Sequence, residues 1–230
     1  THDIYDVLDG ASIKADPLPL IAVPSTIRSP FLFTEFVPLI DARSRQIRIL
    51  KVHPSLCKLA LFDPTLHVSL SQSQMKSIAL ETLGIAVEAY LSQKANFFSD
   101  MFAEKALKLI GTNIRKYVAD RTDMEACEGM MVGSLFAGIA FSHARLGDVH
   151  AMSHPVSAFF DVPHGVANAI LLPTVIDFNM NEAAEKYCFI YNAISDSPID
   201  EKEFTPDMLG SEIRVLNHEL GIPASLSEVG

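Results

Sequence analysis

The hydrophobic period of this chain changes near Ser71, and that change limits the folds open to it. Residues 17–66 carry their apolar side chains in short continuous or alternating runs of strand length. From residue 74 onward the apolar positions recur at helical spacing. In residues 74–91 they are Met75, Ile78, Ala79, Leu83, Ala86, Val87 and Tyr90, close to the 3.6-residue turn of an amphipathic helix. A sheet segment followed by a helical segment is therefore expected, with residues 67–73 as the boundary. The units on either side are residues 1–70 and 71–230.

Within the first unit, residues 3–14 read as a short helix and loop. Residues 17–23, PLPLIAV, form an apolar run suited to a strand buried on both faces. Pro24-Ser25-Thr26 then lies either at the carboxyl end of that strand, where α/β folds place ligands, or in an ordinary turn. Residues 31–41 and 46–52 read as an antiparallel hairpin. Residues 58–62, KLALF, read as another strand, stopped by Asp63-Pro64. In the second unit, helices are expected over 74–91, 97–117, 123–146, 166–178 (interrupted by Pro173) and 183–194. A sixth starts at Thr205 and closes at Leu220-Gly221. Small residues in the middle of the third (Gly133, Ala137, Gly138, Ala140) allow close helix contact and mark it as central.

Three histidines fall within fifteen residues: His150, His154 and His164. His150 and His154 are four apart and share a helix face. His164 follows Pro163 and opens the next apolar run, in the first turn of a helix. With a joining loop around residues 157–162, His150 and His164 can meet at one point. Imidazole suits zinc, iron and nickel; the alternative is helix-end histidines bonded to carbonyls or water.

Composition excludes several classes. The net charge is −10 without long runs of one sign, which argues against a nucleic-acid surface. Cys57, Cys127 and Cys188 are widely spaced and odd in number, so neither a disulfide framework nor a zinc knuckle is expected, and a cytoplasmic setting fits. No signal peptide is visible. The most apolar run, residues 130–141, is short of the roughly 20 residues that span a bilayer, so no membrane partner is expected.

Residues 138–179, GIAFSHARLGDVHAMSHPVSAFFDVPHGVANAILLPTVIDFN, resemble the signature segment of the iron-containing (group III) alcohol dehydrogenases. Residues 18–26, 61–66, 87–110 and 220–230 also resemble stretches of that family. The resemblance implies a dehydroquinate synthase-like fold: an α/β remnant of a dinucleotide-binding domain followed by an all-α helical domain. It covers the middle of a full-length member, without the family's Gly-Gly-Gly-Ser phosphate-binding turn and last helices. A fragment or a reduced homologue is therefore expected.

The family implies NAD or NADP, a divalent metal (iron or zinc), and a small alcohol or aldehyde as substrate, in a homo-oligomer. Its metal is held by one aspartate and three histidines. His150 and His164 match two of these. The family's DALTHAIEAY helix aligns with ETLGIAVEAY here, so Glu81 replaces the aspartate and Ile85 replaces the third histidine. The implied metal set is Glu81, His150 and His164. His154 takes the position assigned to proton transfer, or serves as a replacement ligand. His143 is a weaker candidate, about 10 Å of helix away from His150. The cofactor loop keeps hydroxyls at Ser25 and Thr26, but Arg28 and Pro30 stand where the family has glycines. Arg28 either meets a phosphate by charge or marks a loop that no longer binds a nucleotide. Two functions follow: an NAD(P)-linked oxidoreductase acting on a primary alcohol or aldehyde, or a catalytically impaired helical scaffold.

Overall fold

The first long helix starts where the hydrophobic period changes, and its cap shows why. Ser71 is the N-cap: its Oγ accepts the N–H of Gln74 at 3.2 Å, and the Gln74 side chain returns to the Ser71 N–H at 2.9 Å. This reciprocal box satisfies donors that the first helical turn leaves unpaired. The computed structural model describes residues 3–12, 18–28, 32, 34–52, 57–180 and 182–229. Among these the elements run α1 (Ile4–Leu8), β1 (Leu20–Ala22), β2 (Phe36–Asp41), β3 (Gln46–Lys51), β4 (Cys57–Ala60) and a 3-10 turn (Pro64–Ser69). There follow α2 (Gln72–Leu91), α3 (Phe97–Ala119), α4 (Met124–Ala144), α5 (Asp148–Phe160), α6 (His164–Phe178), α7 (Ala184–Ile194), α8 (Asp207–Glu219) and a last 3-10 turn (Leu226–Glu228). An α/β remnant followed by an all-α domain is what the structure contains.

The helix buried on every side is α2, where each residue from Ala79 to Tyr90 is buried. It packs against α3, α4 and α6. The small-residue helix α4, expected to be central, lies mainly along α3, where a Cβ on Gly133 would meet Ile110 Cγ1 at 2.9 Å. By length and composition α4 could cross a membrane, so the expectation that its apolar run is too short is corrected. Half of its most apolar window is nevertheless buried inside the protein, as in a core helix. Pro173 does not interrupt α6, which runs continuously past it.

The strands depart further from expectation. They form two separate pairs rather than one sheet: β1 with β4 in parallel, and β2 with β3 antiparallel, with Phe36 opposite Lys51 and Asp41 opposite Gln46. The run expected to be buried on both faces contributes only Leu20–Ala22, and its neighbours are open, with Leu18 86 % exposed. A two-stranded pair has too little covering structure to bury both faces. Pro17, Pro30 and Phe31 lie outside the described residues. The three cysteines are unpaired.

Candidate active site

Two helices and a tight link bring the histidines together. His150 and His154 lie one turn apart on α5, and His164 is the first residue of α6. The expected loop over residues 157–162 is shorter in the structure. α5 continues through Pro155 to Phe160, and only residues 161–163 join the helices. Asp161 makes the turn in the left-handed region (φ 57°), which Asp tolerates better than most residues. Gly165 then lets the start of α6 close onto α2, because a Cβ there would overlap the backbone carbonyl of Ser77. The imidazole centroids end 6.1 Å apart for His150 and His154, 5.4 Å for His150 and His164, and 4.9 Å for the stacked His154 and His164.

The three rings have different tasks. His150 is buried and both of its nitrogens are engaged. Nδ1 meets the Glu88 carboxylate, and Nε2 lies 3.1 Å from the Asn168 amide nitrogen. The carboxylate at Nδ1 and the amide at Nε2 together fix the ring's position and plane. Glu88 also accepts the Val149 N–H at 2.7 Å, which ties α5 to α2. His164 Nδ1 lies 3.3 Å from Ser157 Oγ, while its Nε2 is buried with no partner. Burial first, then His150 and His154, push its pKa down to about 3. His154 is half-buried, and no described residue bonds either of its nitrogens. Its pKa is lowered, chiefly by burial and then by His150.

The loop after β1 docks on the helical core and sends one side chain to α2. Ile27 is fully buried in the helical core, and Ser134 Oγ donates to its carbonyl. Thr26 Oγ1 accepts the N–H of Arg28 at 3.1 Å. These anchors set the Arg28 side chain against α2, where its Nε–H donates to Glu81 Oε1 at 3.1 Å. Burial raises the pKa of Glu81, and Arg28 and His150 oppose that rise.

The implied cofactors fare differently against this geometry. Ser25 is exposed and Thr26 half-buried, just past the carboxyl end of β1 in a parallel pair. That is where α/β folds receive dinucleotides, and the Ser25 hydroxyl suits hydrogen bonding to one; the Thr26 oxygen is already used by Arg28. The metal does not fit. Glu81 already holds a guanidinium, and His150 Nε2 already faces an amide. Ile85, one turn from Glu81, offers no donor atom. Among the described residues no group of three His, Cys, Asp or Glu side chains is arranged to hold a metal ion. Glu81, His150 and His164 are thus gathered into one neighbourhood but not into a ligand set.

His143 does not join them. Its Nδ1 lies 2.9 Å from the Ile139 carbonyl oxygen, and its ring packs on Phe98. It lines a separate cavity of about 810 Å³ between α4 and the strands. Glu88, Asn168, Ser157 and Gly165 were not foreseen from sequence. Glu88 did leave a signal: Glu81 and Glu88 are two acids seven residues apart in an otherwise apolar helix segment, hence on one face.

Residues 78–230 match the family model described as Fe-containing alcohol dehydrogenase family, C-terminal. The chain is 33% identical to 1,3-propanediol dehydrogenase of Klebsiella pneumoniae over 100% of its own length and 60% of the relative's. It is 30% identical to lactaldehyde reductase of Escherichia coli K12, over 97% of its own length and 58% of the relative's. A solved 1,3-propanediol oxidoreductase superposes with a TM-score of 0.85 at 32% identity, covering 94% of this chain and 57% of the other. An alcohol dehydrogenase from Oenococcus oeni superposes at 0.88 with 26% identity, covering 99% and 60%. The chain therefore spans about three-fifths of the length of these relatives. With residues 78–230 matched and the same fold in its solved relatives, the chain belongs to the Fe-containing alcohol dehydrogenase family.

Proposed function

We propose that this chain carries the substrate site of an NAD(P)-linked oxidoreductase that interconverts a primary alcohol and its aldehyde. The observation that supports this most is the histidine cluster that α5 and α6 hold beside α2, the helix whose Glu81 binds Arg28 of the loop after β1. Packing alone does not call for three imidazoles in contact, one of them with a buried, unpartnered nitrogen. Relatives named for a propanediol, for lactaldehyde and for butanol with NADPH support the substrate and cofactor class.

Bound NAD(P) would supply or accept the hydride. Ser25, past the end of β1, is the residue here best placed to bind it. His150 is locked between Glu88 and Asn168, so it orients the cluster rather than moving a proton. His154 has untied nitrogens and access to solvent. It takes the hydroxyl proton in alcohol oxidation and returns it in aldehyde reduction. His164 stacks on His154 and holds its ring plane.

The test is steady-state reduction of a panel of primary aldehydes with NADH and NADPH, comparing the wild type with His154→Asn. Turnover by the wild type, with kcat lower by about 10²–10⁴-fold in the variant, is the expected result. No turnover with either nucleotide would overturn the reading and favour a catalytically impaired helical scaffold.

A further inference from the structure

Glu81 is 3 % exposed on α2, and a carboxyl so buried either gives up its charge or pairs with a cation. The cation it has comes from the chain itself. Arg28 reaches it from 53 residues away in sequence, steered by Ile27 in the core and by the Thr26 hydroxyl on its own N–H. The guanidinium stays charged and carries five N–H donors. Only Nε–H is used by a described residue, and half of the side chain is open. The remaining donors sit on the two terminal nitrogens, and Glu81 lies on the face of α2 that meets the histidines, since a Cβ on Gly84, three residues on, would touch His150 Cε1 at 3.9 Å.

We propose that Arg28 is the resident cation of this site. Its Nε–H takes the carboxylate that a divalent metal would need, and its Nη donors receive the oxygen of the aldehyde or alcohol. This rests on the oxidoreductase reading above. In reduction, a hydride from the reduced nicotinamide forms the new C–H bond. The π pair of the carbonyl moves onto oxygen, where the Nη–H groups stabilise it. His154 delivers the proton and regains one from solvent. Aldehyde, reduced nicotinamide and one proton give alcohol and oxidised nicotinamide. Planar N–H donors fixed at the point where negative charge develops are a general route to such stabilisation.

The first test needs no turnover. The purified protein is titrated with Zn²⁺ and with Co²⁺, the latter followed by its visible absorption, alongside Arg28→Ala and Arg28→Ala/Ile85→His. The wild type should bind neither ion at the histidines. The double variant, with Glu81 released and a fourth donor added, should bind about one ion per chain. One ion per wild-type chain, lost in His164→Ala, would overturn the proposal whatever the activity. The second test is kinetic. Arg28→Ala should lose about 10²–10³-fold in kcat, with part of it restored by added guanidinium ion. Wild-type kcat in Arg28→Ala would overturn the role at the substrate oxygen. A wild type without turnover would instead defeat the oxidoreductase reading, while the metal titration would still decide whether Arg28 holds the cation's place.

Discussion

Both carboxylate oxygens of Glu88 are used inside the protein, one by the Val149 N–H and one by His150 Nδ1. Glu88→Ala strips both donors of their acceptor, and each buried orphan costs about 1–3 kcal/mol. A urea titration should show that loss, and an unchanged midpoint would contradict the buried pairing. His67 offers a separate prediction, far from the site. It is fully buried beside Tyr117, with both ring nitrogens unpartnered. Burial lowers its pKa from the usual value of about 6.5, and Asp63 only partly opposes this. The unfolded chain therefore takes up this proton first as pH falls. Stability due to neutral His67 is present above about pH 6.5 and declines below it. His67→Phe should make stability less dependent on pH between about 7 and 5, measured by denaturant melts at several pH values; an equally steep dependence would contradict it. At this scale the sequence exposed the residue types and their spacing. Glu81, His150, His154 and His164 do share one neighbourhood, but the partner of each depended on contacts across the fold. Arg28 stood in a loop whose glycines were missing, and nothing local in RSP after Ile27 indicated that its guanidinium would reach α2.

The α5–α6 hairpin converts histidine spacing into geometry. Its position depends on Gly165, where any Cβ collides with the Ser77 backbone. Gly165→Ala must push α6 away from α2, and overpacking of this kind costs about 1–3 kcal/mol or more. A lower thermal midpoint together with impaired turnover is expected; a variant matching the wild type in both would show that the helices are not in contact there. Helices were legible where the 3.6-residue pattern and the caps agree, as at Ser71 and at Asn96, whose side chain accepts from Phe98 and Ser99 N–H; α5 (Asp148–Phe160) was not among the expected helices. The strands were less legible. A continuous apolar run such as PLPLIAV reads as doubly buried, yet β1 is short and open, because burial depends on what covers a strand and not on its own residues. Pro173 likewise read as an interruption, but α6 accommodates it.

Across the molecule, Ile27 anchors the strand segment to the helices next to Arg28. Ile27 leaves the loop after β1 and enters the core formed by α2, α3 and α4, and Ser134 holds its carbonyl. Ile27→Ala should cost about 2–5 kcal/mol and free the Arg28 loop. Loss of stability in denaturant melts, together with faster amide exchange at residues 25–28, would be the signature; unchanged exchange would mean that the anchor lies elsewhere. The family fold was legible from the long segment 138–179; the proposed chemistry turns on residues outside it, on Ile85, which offers no donor, and on Glu81 paired with Arg28. The most direct measurement is aldehyde-dependent oxidation of NADH or NADPH by the wild-type protein, with and without a tight-binding metal chelator. An internal cation predicts equal rates in both. A rate abolished by the chelator and restored by zinc or iron would contradict it.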